Sequence, residues 1–240
     1  MRVVIIGRGR LATNLLPTLQ KAGHEVVSVN SRTLEEMPEE ADLYIISVKD
    51  SALQEVARLA TKGREQSVFV HTAGSMPLHL FQGLTQHYGV FYPMQTFSKE
   101  RLADFSKIPC FIEASDEHTA LKLRKFTESV SQQVYELSTE KRKYLHLAAV
   151  FACNFTNHCY QLAAELLASQ QIPFEVMLPL IDETAAKVHA MSPKDAQTGP
   201  AVRFDENVIN RQIQLLDDDE LLREVYQLMS RSIHQTATKK

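Results

Sequence analysis

Arg2-Val3-Val4-Ile5-Ile6-Gly7-Arg8-Gly9-Arg10-Leu11-Ala12 decides the fold: a β-branched run with no turn residue breaks directly into a glycine turn. Gly7, Gly9 and Ala12 fall on a G-x-G-x-x-A spacing. In such a turn the first glycine bends the chain, the second lets the backbone approach a pyrophosphate, and the small third residue lets the helix pack close on the strand. Arg8, Arg10 and Leu11 complete the turn, and the helix that follows would offer unpaired N–H groups and a partial positive charge to phosphate. The helical pattern ends at Gly23-His24, and Glu25-Val26-Val27-Ser28-Val29 reads as a second strand. Strand, glycines, helix and strand in one unit of about 30 residues point to a nucleotide cofactor. The other reading is a glycine-rich strand-to-helix turn that binds nothing. Pro17 lacks the N–H its place in the helix calls for, which predicts a kink or a short first segment.

The end of the second strand selects the dinucleotide. An NAD site places Asp or Glu there for the ribose 2′-hydroxyl, whereas an NADP site puts Arg nearby for the 2′-phosphate. Here the chain reads Asn30-Ser31-Arg32-Thr33, with no acid before Glu35. Asn30, Ser31 and Thr33 can donate hydrogen bonds, Arg32 can chelate the phosphate, and Arg8 could reach it or the pyrophosphate. NADP(H) is expected over NAD(H), unless Arg32 is only a solvated loop cation.

The 240 residues have room for one large or two modest domains, and 44% hydrophobic with 23% charged residues is ordinary for a globular protein. A net charge of -3 carries no basic surplus for nucleic acid. No apolar run is long enough to span a bilayer. Cys110, Cys153 and Cys159 form no C-x-x-C pair, so neither a disulfide framework nor a metal site is expected. The N-terminal apolar run reads as a strand rather than a signal sequence, and the expected compartment is the cytoplasm.

Further strands are expected at 42–48, 67–72, 89–93, 109–114 and 133–137, with helices at 51–62 and 118–130; 34–41 is an acidic connection too short for a full helix. Alternating elements of this kind predict an α/β fold with a doubly wound parallel sheet, a Rossmann-like domain over 1–138. From Thr139 the periodicity is helical to the end, with segments at 139–168, 173–190, 204–215 and 217–234. Residues 139–240 are therefore expected to form an all-helical domain.

This order resembles the reductase superfamily that joins an N-terminal NADP-binding domain to an all-helical C-terminal domain, including pyrroline-5-carboxylate reductase, 6-phosphogluconate dehydrogenase and the deazaflavin-dependent NADP oxidoreductases. Four segments resemble a bacterial branch whose helical domain has no assigned function. They are His71-Thr72-Ala73-Gly74-Ser75, Tyr92-Pro93-Met94-Gln95-Thr96-Phe97, His146-Leu147-Ala148-Ala149-Val150-Phe151-Ala152-Cys153-Asn154, and Thr198-Gly199-Pro200-Ala201-Val202-Arg203-Phe204-Asp205. The resemblance covers nearly the whole chain. It implies the two-domain fold, an NADP cofactor and a homodimer built through the helical domains.

In an open α/β sheet the ligand lies beyond the C-terminal strand ends, which gathers Gly7, Gly9, Arg32, Ser47-Val48-Lys49 and His71-Thr72-Ala73-Gly74 around one crevice. Val48 and Ala73 would border the nicotinamide or its ribose. His71 could bind ribose or supply a proton, or be a hydrogen-bonded strand-terminal histidine. Related reductases often carry His where Tyr92 stands, and a phenol can also donate a proton. Gln95 and Thr96 could orient a substrate carbonyl or carboxylate, or the loop could plug a seam with Met94 and Phe97. Asn154 and His158, four residues apart, share a helix face. The superfamily's hydroxyacid dehydrogenases place a catalytic Lys four residues before this Asn; here that residue is Val150, which counts against the hydroxyacid mechanism. His146 lies about 80° round the helix from Asn154 at 100° per residue, and could contribute only from the flank. Arg203 could grip an acidic substrate, while Asp205 could cap the next helix. The function expected is hydride transfer between NADPH and a small C=O or C=N substrate at the domain interface, with His158, Tyr92 and His71 as the proton-donor candidates in that order and Asn154 beside them. The alternative is an NADP(H)-binding sensor without turnover.

Overall fold

The structure is a computed structural model and describes residues 1–239. The chain divides into two compact units, Met1–Phe155 and Thr156–Lys240.

The first unit is built on a seven-stranded sheet of order β2-β1-β3-β4-β5-β6-β7. Its strands are β1 (Arg2–Ile6), β2 (Glu25–Val29), β3 (Leu43–Ile46), β4 (Val68–His71), β5 (His87–Pro93), β6 (Cys110–Ala114) and β7 (Val134–Glu136). Strands β1 to β5 run parallel, as expected. β6 pairs antiparallel with β5, and β7 runs parallel to β6. An antiparallel neighbour needs no crossover helix, and only a loop with one short 3₁₀ turn joins β5 to β6.

β1, β3 and β4 are nearly all aliphatic or aromatic because both sheet faces are covered. Alternate residues point to opposite faces. Val3, Ile5, Leu43, Ile45 and Val70 pack in one layer with Leu15 and Leu19 of α1 (Arg10–Lys21) and Leu123 and Phe126 of α3 (Glu117–Glu128). Val4, Ile6, Tyr44, Ile46 and Phe69 pack in the other with Leu53, Val56, Ala57 and Ala60 of α2 (Asp50–Thr61). No short first segment forms at Pro17: α1 is one helix with Pro17 inside it. Buried Leu15 and Leu19 hold the helix on either side of the proline, and tertiary packing supplies most helical stability in a folded protein. Residues 34–41 form no helix, and Leu34 and Glu36 are left-handed.

The helical run from Thr139 contains a change of pitch. α4 (Thr139–Ala149) passes into a π-helical segment, Val150–Phe155, and then into α5 (Thr156–Ser169). The second unit comprises α5, α6 (Leu178–Ala190), α7 (Pro193–Ala196), α8 (Pro200–Arg203), α9 (Glu206–Gln214) and α10 (Glu220–Thr238). Side-chain caps set several helix starts: Ser192 accepts from the Asp195 N–H, Asp205 from Val208 and Asp219 from Leu222. The last helix therefore begins after Asp219 rather than at Asp217. Among the described residues, no helix is long and apolar enough to cross a membrane.

Candidate active site

Strand register lines up the ends that build the site: Ile6 lies beside Val29 and Ile46, Ile46 beside His71, and His71 beside Val90. The chain leaves β1 through Gly7, whose φ is +131°. A Cβ there would lie 2.1 Å from the Ser47 carbonyl oxygen, so only glycine lets β1 pass the end of β3. Gly9 differs. It is the N-cap of α1 in an extended conformation, with no side-chain cap and no acid in the first turn of the helix. A Cβ added to it would meet nothing within 4 Å. The N–H groups at the start of α1 thus face open space, and this cradle fits a pyrophosphate. Arg8 and Arg10 are exposed beside it, Leu11 is half-buried, and Ala12 is buried where the helix packs.

At the end of β2, Asn30 builds a turn. Its Oδ1 accepts the Arg32 N–H at 3.1 Å, and its carbonyl accepts the Leu34 N–H at 2.9 Å. The turn leaves Ser31 half-exposed and Arg32 exposed. A neutral Asn at this position, followed by a free-standing cation, suits a phosphate better than a ribose hydroxyl.

Val48 and Ala73 are half-buried and pack on the α2-side layer. His71 has no exposed surface. Its Nδ1 accepts the Ala73 N–H at 3.2 Å, which leaves the proton on Nε2, 3.4 Å from the Pro77 carbonyl. Burial above all, with the Arg142 charge adding to it, pushes its pKa down to about 4. His71 is therefore a neutral histidine with both nitrogens committed to the backbone, and its place among the proton donors is corrected to a structural one. The Ser75 hydroxyl bonds the Asp50 carboxylate, which ties the loop after β4 to the start of α2.

Tyr92 and His146 meet. The Tyr92 hydroxyl is 3.1 Å from His146 Nδ1, with the rings edge-on at 74°. Gly74 permits this, since a Cβ there would lie 2.6 Å from His146 Nδ1 and 2.9 Å from Tyr92 Cζ. Burial raises the Tyr92 pKa, opposed by the nearby Arg142 charge. Arg142, with a side chain only 1% exposed, bonds Glu113 at 3.2 Å and the Met76 carbonyl at 2.7 Å. Glu113 also accepts the Thr139 N–H and hydroxyl, each at 2.7 Å. A buried pair of this kind adds little net stability but fixes geometry. It anchors the first turn of α4, and His146 follows one turn later on the same helix face.

Gln95 and Thr96 are exposed, and the Gln95 amide oxygen accepts the Thr96 N–H at 2.8 Å. Asn154, in the π segment, and His158, on α5, are both exposed. Arg203 is exposed at the end of α8, and Asp205 caps α9. A phase counted from Asn154 at about 100° per residue puts His146 only on the flank. Asn154 itself lies in the π segment, whose i→i+5 turn breaks that count. A usable signal was present: Arg142 and His146 are spaced four apart at the start of the helical run. Among the described residues no group of three or more His, Cys, Asp or Glu could hold a metal ion.

Residues 108–233 match the family model described as a domain of unknown function (DUF2520). The chain belongs to this family. Residues 2–61 of this DUF2520 protein also match the model for the coenzyme F420-dependent NADP oxidoreductases. A Bacteroides fragilis protein described as a "putative NADP oxidoreductase" is 49% identical, with a TM-score of 0.92 over 98% of each chain. The fold is shared with an imine reductase from Myxococcus stipitatus solved with NADP+ (15% identity, TM-score 0.69, 98% of this chain and 93% of that one). It is also shared with 1-pyrroline-5-carboxylate reductase from Streptococcus pyogenes (13% identity, TM-score 0.62, 98% of each chain). No curated protein matches the chain. The Rossmann-like fold, the oxidoreductase class and the NADP cofactor agree with these matches.

Proposed function

We propose that this protein is an NADPH-dependent reductase of a small C=O or C=N substrate, with Tyr92 as proton donor and His146 as its relay. One observation carries the reading: the Tyr92–His146 pair packs on Gly74, in the loop after β4, on the same sheet edge as the glycine turn. The residues that would hold the cofactor are Gly7 to Ala12 at the pyrophosphate, Asn30, Ser31 and Arg32 at the 2′-phosphate, and Val48 and Ala73 at the nicotinamide end. When bound, the nicotinamide supplies the hydride. Tyr92 then donates its hydroxyl proton to the oxygen or nitrogen that gains electron density. The phenol is protonated at neutral pH even without the upward shift that burial gives it, so the proton is in place at the start of each turnover. His146 Nδ1, 3.1 Å from the Tyr92 oxygen, is the group within hydrogen-bond reach through which the lost proton would be returned. Gln95, Thr96 and Arg203 are the substrate-orienting candidates, the last for an acidic group. Asn154 and His158 are the alternative donor pair.

The test is reduction of cyclic imines and small oxo acids by NADPH. Tyr92→Phe should lower turnover about 10²- to 10⁴-fold, the range for losing a general acid, with NADPH affinity unchanged. Undiminished turnover in Tyr92→Phe would remove the mechanism. Val150, where hydroxyacid dehydrogenases carry a lysine, favours a second reading as a sensor. NADPH binding without reduction of any carbonyl, imine or deazaflavin acceptor would select it.

A homodimer belongs to the same proposal. Tyr144, Leu147 and Phe155 are 76%, 52% and 51% exposed along α4 and the π segment, more apolar surface than one helix of a monomer ordinarily shows. Light scattering at monomer mass across a wide concentration range would refute it. The three free cysteines suit a reducing cytoplasm.

A further inference from the structure

We propose that Asn14 is a positioning residue that couples the phosphate turn of α1 to the loop over residues 94–104, so that dinucleotide binding orders that loop. The inference rests on the cofactor reading above. Asn is a weak helix former, yet Asn14 sits inside α1 and is 1% exposed. Its Nδ2 donates to the Arg10 carbonyl at 2.9 Å and to the Ser98 carbonyl at 2.7 Å. Its Oδ1 accepts the Ala103 N–H at 2.8 Å. One amide thus closes both ends of a loop tip 84 and 89 residues away in sequence.

Between those ends Lys99, Glu100, Arg101 and Leu102 are all exposed, and the tip's internal Ser98–Arg101 contact is long, at 3.5 Å. Below the tip the loop is fixed independently: Phe97 stacks on Phe105 with centroids 5.6 Å apart, and the Met94 N–H bonds the Pro109 carbonyl at 2.9 Å. Only the tip therefore depends on Asn14. On the helix side, Arg10 is the first residue of α1 and lies within the glycine turn. A phosphate drawn onto that turn restrains the Arg10 carbonyl, hence the Asn14 amide, hence Ser98 and Ala103. The loop begins directly after Tyr92-Pro93 and carries Gln95 and Thr96, so this connection runs from the cofactor to the flank of the proposed proton donor.

The experiment is hydrogen exchange of residues 98–103 with and without saturating NADPH, in the wild type, Asn14→Ala and the isosteric Asn14→Asp. The aspartate variant keeps the acceptor for Ala103 and loses the amide donors, and it serves if the alanine variant does not fold. NADPH should slow exchange of the wild-type segment about tenfold, the scale of a modest change in local opening. In the variants the effect on this segment should fall below roughly twofold while α1 stays protected. A variant that keeps the full NADPH effect, or a wild type whose loop shows none despite bound NADPH, overturns the coupling alone. A wild type that binds no NADPH in a fluorescence titration overturns the cofactor reading and this inference with it.

Discussion

Gly7 and Gly9 stand two residues apart in one motif, and alanine at each should do opposite things. At Gly9 the backbone is already extended (φ -76°, ψ -179°), which any residue adopts, and an added methyl meets no atom within 4 Å. Alanine is a poorer N-cap than glycine by up to about 1 kcal/mol, and loss of glycine's freedom in the unfolded chain returns about 0.4–1 kcal/mol. The two nearly cancel, so Gly9→Ala should move Tm by no more than about 3 °C. The methyl would stand in the space proposed for the pyrophosphate. Displacing one charge-assisted hydrogen bond costs about 2 kcal/mol, a roughly thirtyfold loss of NADPH affinity. Gly7→Ala instead drives Cβ to 2.1 Å from the Ser47 oxygen at φ +131°. Backbone strain and overpacking together cost about 4 kcal/mol, or about 10 °C in Tm. Thermal unfolding and NADPH fluorescence titration on both variants read the contrast. A Gly9→Ala protein with unchanged Tm and unchanged NADPH affinity would refute the placement of the pyrophosphate.

Asn30→Asp should keep the turn, because a carboxylate accepts the Arg32 N–H as the amide does, while placing a negative charge beside the 2′-phosphate. NADPH affinity should fall about tenfold or more from charge repulsion and NADH affinity should rise; paired titrations that show no change in their ratio would sink the assignment of this turn. His71 is held neutral in the fold, with its pKa lowered from 6.5 to about 4. The unfolded chain therefore takes up this proton first, so stability present above pH 6.5 is lost as pH falls towards 4. The loss approaches about 3 kcal/mol. Urea unfolding across this range should show it in the wild type and not in His71→Asn; equal slopes in the two would contradict the buried neutral histidine.

The first two strands were legible to the residue, because a β-branched run bounded by glycine has few other conformations. Both faces of β1, β3 and β4 are covered, which is why their sequences read as unbroken apolar runs. The reversal of β6 and β7 was not legible: strand direction follows from the route of the connecting loop, and periodicity carries no direction. The Asn30 turn, in which the side chain accepts the Arg32 N–H, was not foreseen, whereas the glycine turn could be read because its spacing is local. Asn14 could not, because its partners Ser98 and Ala103 are distant in sequence and only folding brings them together. His146 is hard to place from sequence for a different reason. A helix phase counted residue by residue assumes constant pitch, and the π segment at Val150–Phe155 breaks it. His71 was recognisable as a strand-terminal residue, but its burial, which decides between proton donor and structural group, depends on the packing around it.

The measurement that bears most directly on this account is a fluorescence titration of the wild-type protein with NADPH and NADH in parallel. Saturable NADPH binding at least about tenfold tighter than NADH is the expected result, the preference that phosphate recognition by Asn30, Ser31 and Arg32 should give. Binding of neither nucleotide would contradict the account at its root, leaving the glycine turn as architecture alone.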